Sequence, residues 1–169
     1  MPTWTRFLVA LVACMVAAAG CESSTEVSSA VTFGGTMNGA KERPTATTST
    51  ATGQALVVLN SSGTIHYSVS WTGLTGSVTG AHIHGPADSV NTAGVLIDFS
   101  ALPVGSANQA ITLTASGLAS GSVNVKGGAV VTATVSGDSL VKLLNTGLLY
   151  VNVHTAANPN GEIRTQLQR

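Results

Sequence analysis

The chain has 169 residues, 8% of them charged and 4% aromatic, with seven basic and seven acidic side chains. Low charge joined to 44% hydrophobic residues is foreign to disordered chains, and the length suffices for one domain with a buried core. The neutral balance excludes a basic nucleic-acid-binding face and argues against electrostatic steering of an ionic substrate.

The first segment reads as an export signal. Arg6 supplies the one early charge, and Phe7 to Ala19 is an uncharged apolar run. It is shorter than the about 20 residues a spanning helix needs, and small residues follow it, as in a cleaved leader. Ala18-Ala19-Gly20-Cys21 resembles a bacterial lipobox, although such boxes usually carry Leu where Ala18 stands. The expectation is a signal peptide over residues 1–20, an acylated Cys21, and a polar tether through residue 30. Acyl chains hold a protein to a membrane without a spanning helix, at about 0.8 kcal/mol per buried methylene. Ordinary cleavage after Ala19 would instead give a secreted protein. Cys14 lies inside the leader, so the domain over residues 31–169 has no internal disulfide.

Ala30 to Phe33 opens the domain as a strand that Gly34-Gly35 punctuates and Thr36 to Ala40 continues. Lys41 to Pro44 reads as a charged loop, and the threonine-rich stretch Thr45 to Gly53 as an exposed connection. Gln54 to Leu59 and Thr64 to Trp71 form a hairpin across Asn60-Ser61-Ser62-Gly63. Alternation sends Ile65, Tyr67, Val69 and Trp71 inward and leaves His66 facing solvent. Ser77 to His84 is the next strand. Pro86, which cannot donate a ladder hydrogen bond, stops it.

Ala87 to Ala93 is a polar loop, Gly94 to Phe99 a strand, and Pro103 to Ser106 a break. Gln109 to Ala115 alternates again, Gly117 to Gly121 follows it outside the strands, and strands are expected over Ser122 to Lys126 and Ala129 to Val135, split by Gly127-Gly128. One short helix, capped by Ser136 or Asp138, carries Leu140, Val141, Leu143 and Leu144 at helical spacing and ends at Asn145 or Gly147. Leu149 to Thr155 and Ile163 to Leu167 are the last strands, joined through Asn158-Pro159-Asn160-Gly161. Many short strands with regular turn signals and one helix predict an all-β, Greek-key β-sandwich or a barrel-like variant.

Two of these strands carry most of the chemistry. His82 and His84 share one face and Ile83 the other. Tyr150, Asn152 and His154 share a face opposite Val151 and Val153. Each strand thus offers an apolar face to a core and a polar face bearing imidazole. Glu162 and Arg164, two apart, read as an exposed ion pair.

The pieces Asn38-Gly39-Ala40-Lys41-Glu42-Arg43-Pro44, Ala81-His82-Ile83-His84-Gly85-Pro86 and the run from Leu149 to Arg164 resemble, in order and spacing, the CHRD family, named for a domain of chordin. Arg43 and Thr165 depart from the family's usual small apolar residue and glycine. The resemblance implies an immunoglobulin-like or Cu,Zn superoxide dismutase-like sandwich of largely unassigned biochemical role. In chordin the domain belongs to an extracellular antagonist of growth factors, a partner that fold alone does not transfer.

The expectation is a cell-envelope lipoprotein whose domain is a binding or structural module, tethered to the membrane and meeting an envelope protein partner. The alternative is a copper- or zinc-binding protein. His82 and His84 can reach one ion, His154 can add a third imidazole, and His66 a fourth if its strand neighbours that of His82. Asp88 or Asp98 would serve as ligand or as orienting partner. Against this stands a purely structural use of the rings, each bonded to a loop carbonyl. No nucleophile motif or paired carboxylate in an apolar context points to an enzyme.

Overall fold

In a computed structural model the described residues are 29–101, 107–126, 130–132 and 135–169. The export signal, Cys21, most of the tether, the Pro103–Ser106 break and Gly127-Gly128 lie outside them. The strands are β1 (Val31–Asn38), β2 (Thr52–Leu59), β3 (Thr64–Thr72), β4 (Val78–His84), β5 (Val95–Asp98), β6 (Ala107–Ile111), β7 (Gly117–Asn124), β8 (Val130–Thr132), β9 (Val135–Ser136), β10 (Tyr150–Thr155) and β11 (Ile163–Gln166). Among the described residues one α-helix, α1 (Gly137–Asn145), lies between β9 and β10, and a 3-10 turn, Gly39–Lys41, follows β1.

Nine strands form one sheet in the order β5-β4-β10-β11-β1-β2-β3-β7-β6, with β8 and β9 as a separate pair. All the pairings within it are antiparallel. The all-β architecture with one short helix agrees with the sequence pattern. Its two layers, however, are the halves of one curled sheet. Tyr67 on β3 stacks on Phe99, just beyond β5, at 4.5 Å between ring centroids, although four strands separate β3 from β4 in the sheet order. The core lies between the halves. Phe33, Val57, Ile65, Val69 and Trp71 face Ala81, Ile83, Ile97, Val151, Val153 and Ile163, all buried.

Period-two alternation explains most of this. Along β3 every second residue is buried, and His66, Ser68 and Ser70 are exposed. The hairpin turns where expected: Gly63 takes φ +78 and the Asn60 side chain accepts from the Thr64 amide. Ser136 caps α1 by accepting from the Ser139 amide, and Leu140 and Leu144, one turn apart, are buried.

Two glycine-based expectations are corrected. β1 runs unbroken through Gly34-Gly35. Gly117 to Gly121, outside the strands expected from the sequence, is the first part of β7, whose expected start is Ser122. Gly121 pairs with Tyr67, and a Cβ there would meet the Tyr67 hydroxyl at 2.4 Å. This glycine makes room for a ring and does not break the chain.

Candidate metal centre

The strand register assembles the site. β4 and β10 pair so that His82 lies opposite Asn152 and His84 opposite Tyr150. Their apolar alternates, Ala81, Ile83, Val151 and Val153, fill the core, so the imidazoles stand on the outer face. His154 pairs with Gly80. A Cβ at Gly80 would sit 2.7 Å from His82 Cε1 and 3.7 Å from His154 Cδ2, so glycine opens the gap into which both rings lean.

The three rings converge. His82, His84 and His154 each offer one nitrogen, and these atoms lie within 4.8 Å of one another. His82 Nδ1 and His154 Nε2 are 3.1 Å apart. The outer nitrogens have oxygen partners. His84 Nδ1 stands 3.0 Å from the Ala93 carbonyl and His154 Nδ1 3.0 Å from the Pro159 carbonyl. A carbonyl cannot donate, so each of these Nδ1 atoms carries the proton, and each Nε2 keeps its lone pair. His84 Nε2 is buried and has no hydrogen-bond partner. His82 Nε2 faces Asp98 Oδ2 at 3.9 Å, and Asp98 is held by the Ser100 amide and hydroxyl.

Burial lowers the pKa of all three histidines. At His82, Asp98 opposes the shift; at His84, which falls to about 4, burial is helped by His82 and His154; at His154 it is helped by His82. Neutral imidazole, the ligating form, therefore prevails at neutral pH. His84 is buried, whereas His82 and His154 are half-buried, so the cluster opens to solvent on their side.

His66 is not part of this cluster. It is exposed on β3, pairs with Val58 and Ser122, and hydrogen-bonds Asn60. Its strand does not neighbour that of His82, because β10, β11, β1 and β2 intervene. Of the two aspartates, Asp98 takes the orienting place. Asp88 accepts from the Val90 and Asn91 amides within its own loop.

Glu162 and Arg164 are not an exposed ion pair. They are 0% and 1% exposed and do not meet. The Glu162 carboxylate accepts from the Ser49 hydroxyl, the Thr75 amide and hydroxyl, and the Thr155 hydroxyl at 2.6–2.9 Å. Two of the residues that hold it, Ser49 and Thr47, come from the threonine-rich stretch expected to be a mere connection. Arg164 lies 3.5 Å over the Tyr150 ring, and Tyr150 stacks on His84 with 4.8 Å between centroids. Arg164 Nη2 donates to the Asp88 and Asn91 carbonyls. It thus pins the loop whose Ala93 carbonyl fixes the His84 tautomer. Glu42, also buried, is pushed up to about 7 by burial, with Arg164 opposing.

Sequence reasoning missed this covered polar layer of Glu42, Tyr150, Asn152 and Arg164. Alternation gave Tyr150 and Asn152 a shared polar face and Arg164 an exposed one beside Glu162, and nothing local showed that loops cover them. Among the described residues no helix is long and apolar enough to cross a membrane. No curated protein and no solved structure matches the chain. The CHRD domain model matches residues 33–167, from β1 to just past β11, with every histidine of the chain inside the match, and the chain belongs to the CHRD-domain family.

Proposed function

We propose that this CHRD domain is a transition-metal-binding module of the cell envelope, holding one zinc or copper(II) ion through His82 Nδ1, His84 Nε2 and His154 Nε2. The observation that carries the reading is the convergence of three imidazole nitrogens within 4.8 Å, each ring having its other nitrogen turned to an oxygen. Outer partners of this kind set the tautomer and raise ligand basicity at metal sites. Metal–nitrogen bonds of 2.0–2.1 Å need ligand nitrogens about 3.3–3.5 Å apart. One pair is at 3.1 Å already, with His82 Nδ1 donating to His154 Nε2; binding shifts that proton to His82 Nε2, which faces Asp98, and the widest separation closes by a little over about 1 Å through ring rotation. An all-imidazole set suits zinc and copper(II) better than copper(I), which prefers sulfur. The fourth position faces solvent between His82 and His154, where water or a partner's side chain can bind. The reading is of binding and includes no catalytic step.

The test is metal content of the purified mature protein after loading with zinc or copper and exhaustive dialysis. One ion per chain is expected, falling to background in His84→Ala and unchanged in His66→Ala. Asp98→Asn should weaken binding by about 10–100-fold, as loss of an outer-shell partner does. Background metal in the parent protein, or equal loss in His66→Ala, would overturn the assignment.

The envelope part of the reading rests on the apolar leader and Cys21. Acylation at Cys21 would leave the domain on a short polar tether above a membrane. Cys21→Ser should move the protein from the membrane fraction to the soluble fraction of a bacterial host. An unchanged distribution would rule out the anchor.

A further inference from the structure

A depression of about 390 Å³ opens where β1 and β11 part company, lined by Thr36, Lys41, Arg43, Ser89, Arg164 and Gln168 among others. The two strands pair at Asn38 and Arg164 and bridge again at Gly34 and Gln168, and the depression lies in the gap between. Its charge is one-sided. Three of the seven basic residues of the chain line it, and no carboxylate does. In a chain with 8% charged residues such a gathering is not a solvated face of mixed sign.

The neighbouring acids offset it only in part. Asp88, beside the depression, accepts from Val90 and Asn91 and also acts on Arg164 through space. Glu42 borders the adjoining cleft beside Gly161. Burial pushes it up to about 7, so it offsets part of one cation at neutral pH.

The rim supplies the open donors, and the floor a buried cation. Arg164 is 1% exposed, held flat against Tyr150, and its Nη1 is buried and has no partner among the described residues. Arg43 uses Nη1 on the Ala40 and Glu42 carbonyls, which leaves the Nε and Nη2 edge of its guanidinium without a bond among the described residues. Lys41 Nζ rests on the Thr36 carbonyl and hydroxyl at the rim. An ammonium has three donors, so one bond to an anion can be added. Two guanidinium groups and an ammonium around a concave, solvent-open space match a tetrahedral oxyanion, which accepts forked, charge-assisted hydrogen bonds.

We propose that this pocket binds a phosphate group, held by Lys41 and Arg43 at the rim and Arg164 at the floor. The group is either free or part of a lipid headgroup, since the domain would sit close above a membrane. The site is separate from the imidazole cluster and does not depend on the metal assignment.

The experiment is a thermal melt of the Cys21→Ser protein in inorganic phosphate, set against sodium chloride of equal ionic strength, because a ligand of the folded state raises the midpoint. A saturable rise of several degrees is expected. It should weaken at least about tenfold in Lys41→Ala/Arg43→Ala, whose side chains are half-buried and, among the described residues, bond only to Thr36 and the Ala40 and Glu42 carbonyls, and persist in His84→Ala. Sedimentation with phosphatidylglycerol vesicles, competed by inorganic phosphate, assigns the group to a headgroup. A phosphate response without vesicle binding assigns it to a free ion. Phosphate acting no better than chloride with no vesicle binding, or a double variant responding like the parent, would overturn the proposal.

Discussion

Glu162→Ala is expected to cost the domain about 3–5 kcal/mol, because it removes four hydrogen bonds to a charged acceptor, a kind that contributes about 1.5–3 kcal/mol each without adding in full. The carboxylate is 0% exposed and collects four hydrogen bonds from three separate segments: Ser49 before β2, Thr75 between β3 and β4, and Thr155 at the end of β10. Its own backbone carbonyl also accepts from Thr47, and its amide donates to Val153. Alanine would take the acceptor from the Thr75 amide and from the hydroxyl of the buried Thr155, and would release Ser49, while Thr47 keeps its bond to the backbone of residue 162. A stability of 5–15 kcal/mol is typical of a domain, so about a fifth or more of it is at stake. At about 2–4 °C per kcal/mol for a chain of this size, the melting midpoint should fall by roughly 10–15 °C. Glu162→Gln keeps the shape and should cost less. A midpoint within about 2 °C of the parent for the alanine variant would contradict this role.

The same carboxylate fixes the acid limb of stability. Burial by itself would raise its pKa, but the hydrogen bonds from Ser49, Thr155 and Thr75 together bring it down to about 2 from the usual 4.5. A depressed carboxyl contributes stability that is fully present above 4.5 and lost as pH falls toward 2.

Glu42→Gln should act with the opposite sign. Glu42 is 2% exposed, and burial, against Arg164, Arg43 and Asn152, raises its carboxyl from 4.5 to about 7. The folded state then holds this proton more tightly than the unfolded chain. Stability should therefore fall as pH rises from about 4.5 through 7, by a few kcal/mol at most, since each pKa unit is worth 1.36 kcal/mol. Glutamine removes the ionisation and should flatten the profile across that window, leaving the variant more stable than the parent at pH 8. Denaturant midpoints of both proteins from pH 4 to 8 give the answer. Parallel profiles would show that Glu42 does not titrate in this window.

The frame of the domain was legible because alternation in a half-buried strand is a local signal. Ile65, Tyr67, Val69 and Trp71 announce the inner face of β3 without reference to any other strand. The His82–His84 pair was legible for the same reason. His154 is 70 residues further along the chain, and its place beside them depends on β10 inserting between β4 and β11, which no local pattern encodes. His66 shows the converse. It sits on an equally good strand, and only the sheet order removes it from the cluster.

Glycine misled where it serves packing. Gly121, left outside the expected strands, accepts the Tyr67 ring, and Gly80, inside an expected strand, accepts the His82 ring. The buried polar layer was illegible because what covers it comes from elsewhere. The Ser49 that meets Glu162 lies 113 residues away, inside a stretch of low complexity, and the loop carbonyls that meet Arg164 lie more than 70 residues away. Charged residues two apart on a strand predict a shared side, and solvent on that side does not follow.

The most direct test of the metal assignment is a crystal structure of the mature protein grown with zinc or copper, with data collected on both sides of the metal's absorption edge. One anomalous peak is expected about 2.0–2.1 Å from His82 Nδ1, His84 Nε2 and His154 Nε2, with the bonds from His84 to Ala93 and from His154 to Pro159 retained. A strong peak at His66 or elsewhere, with His82 still hydrogen-bonded to His154 as it is without metal, would contradict it.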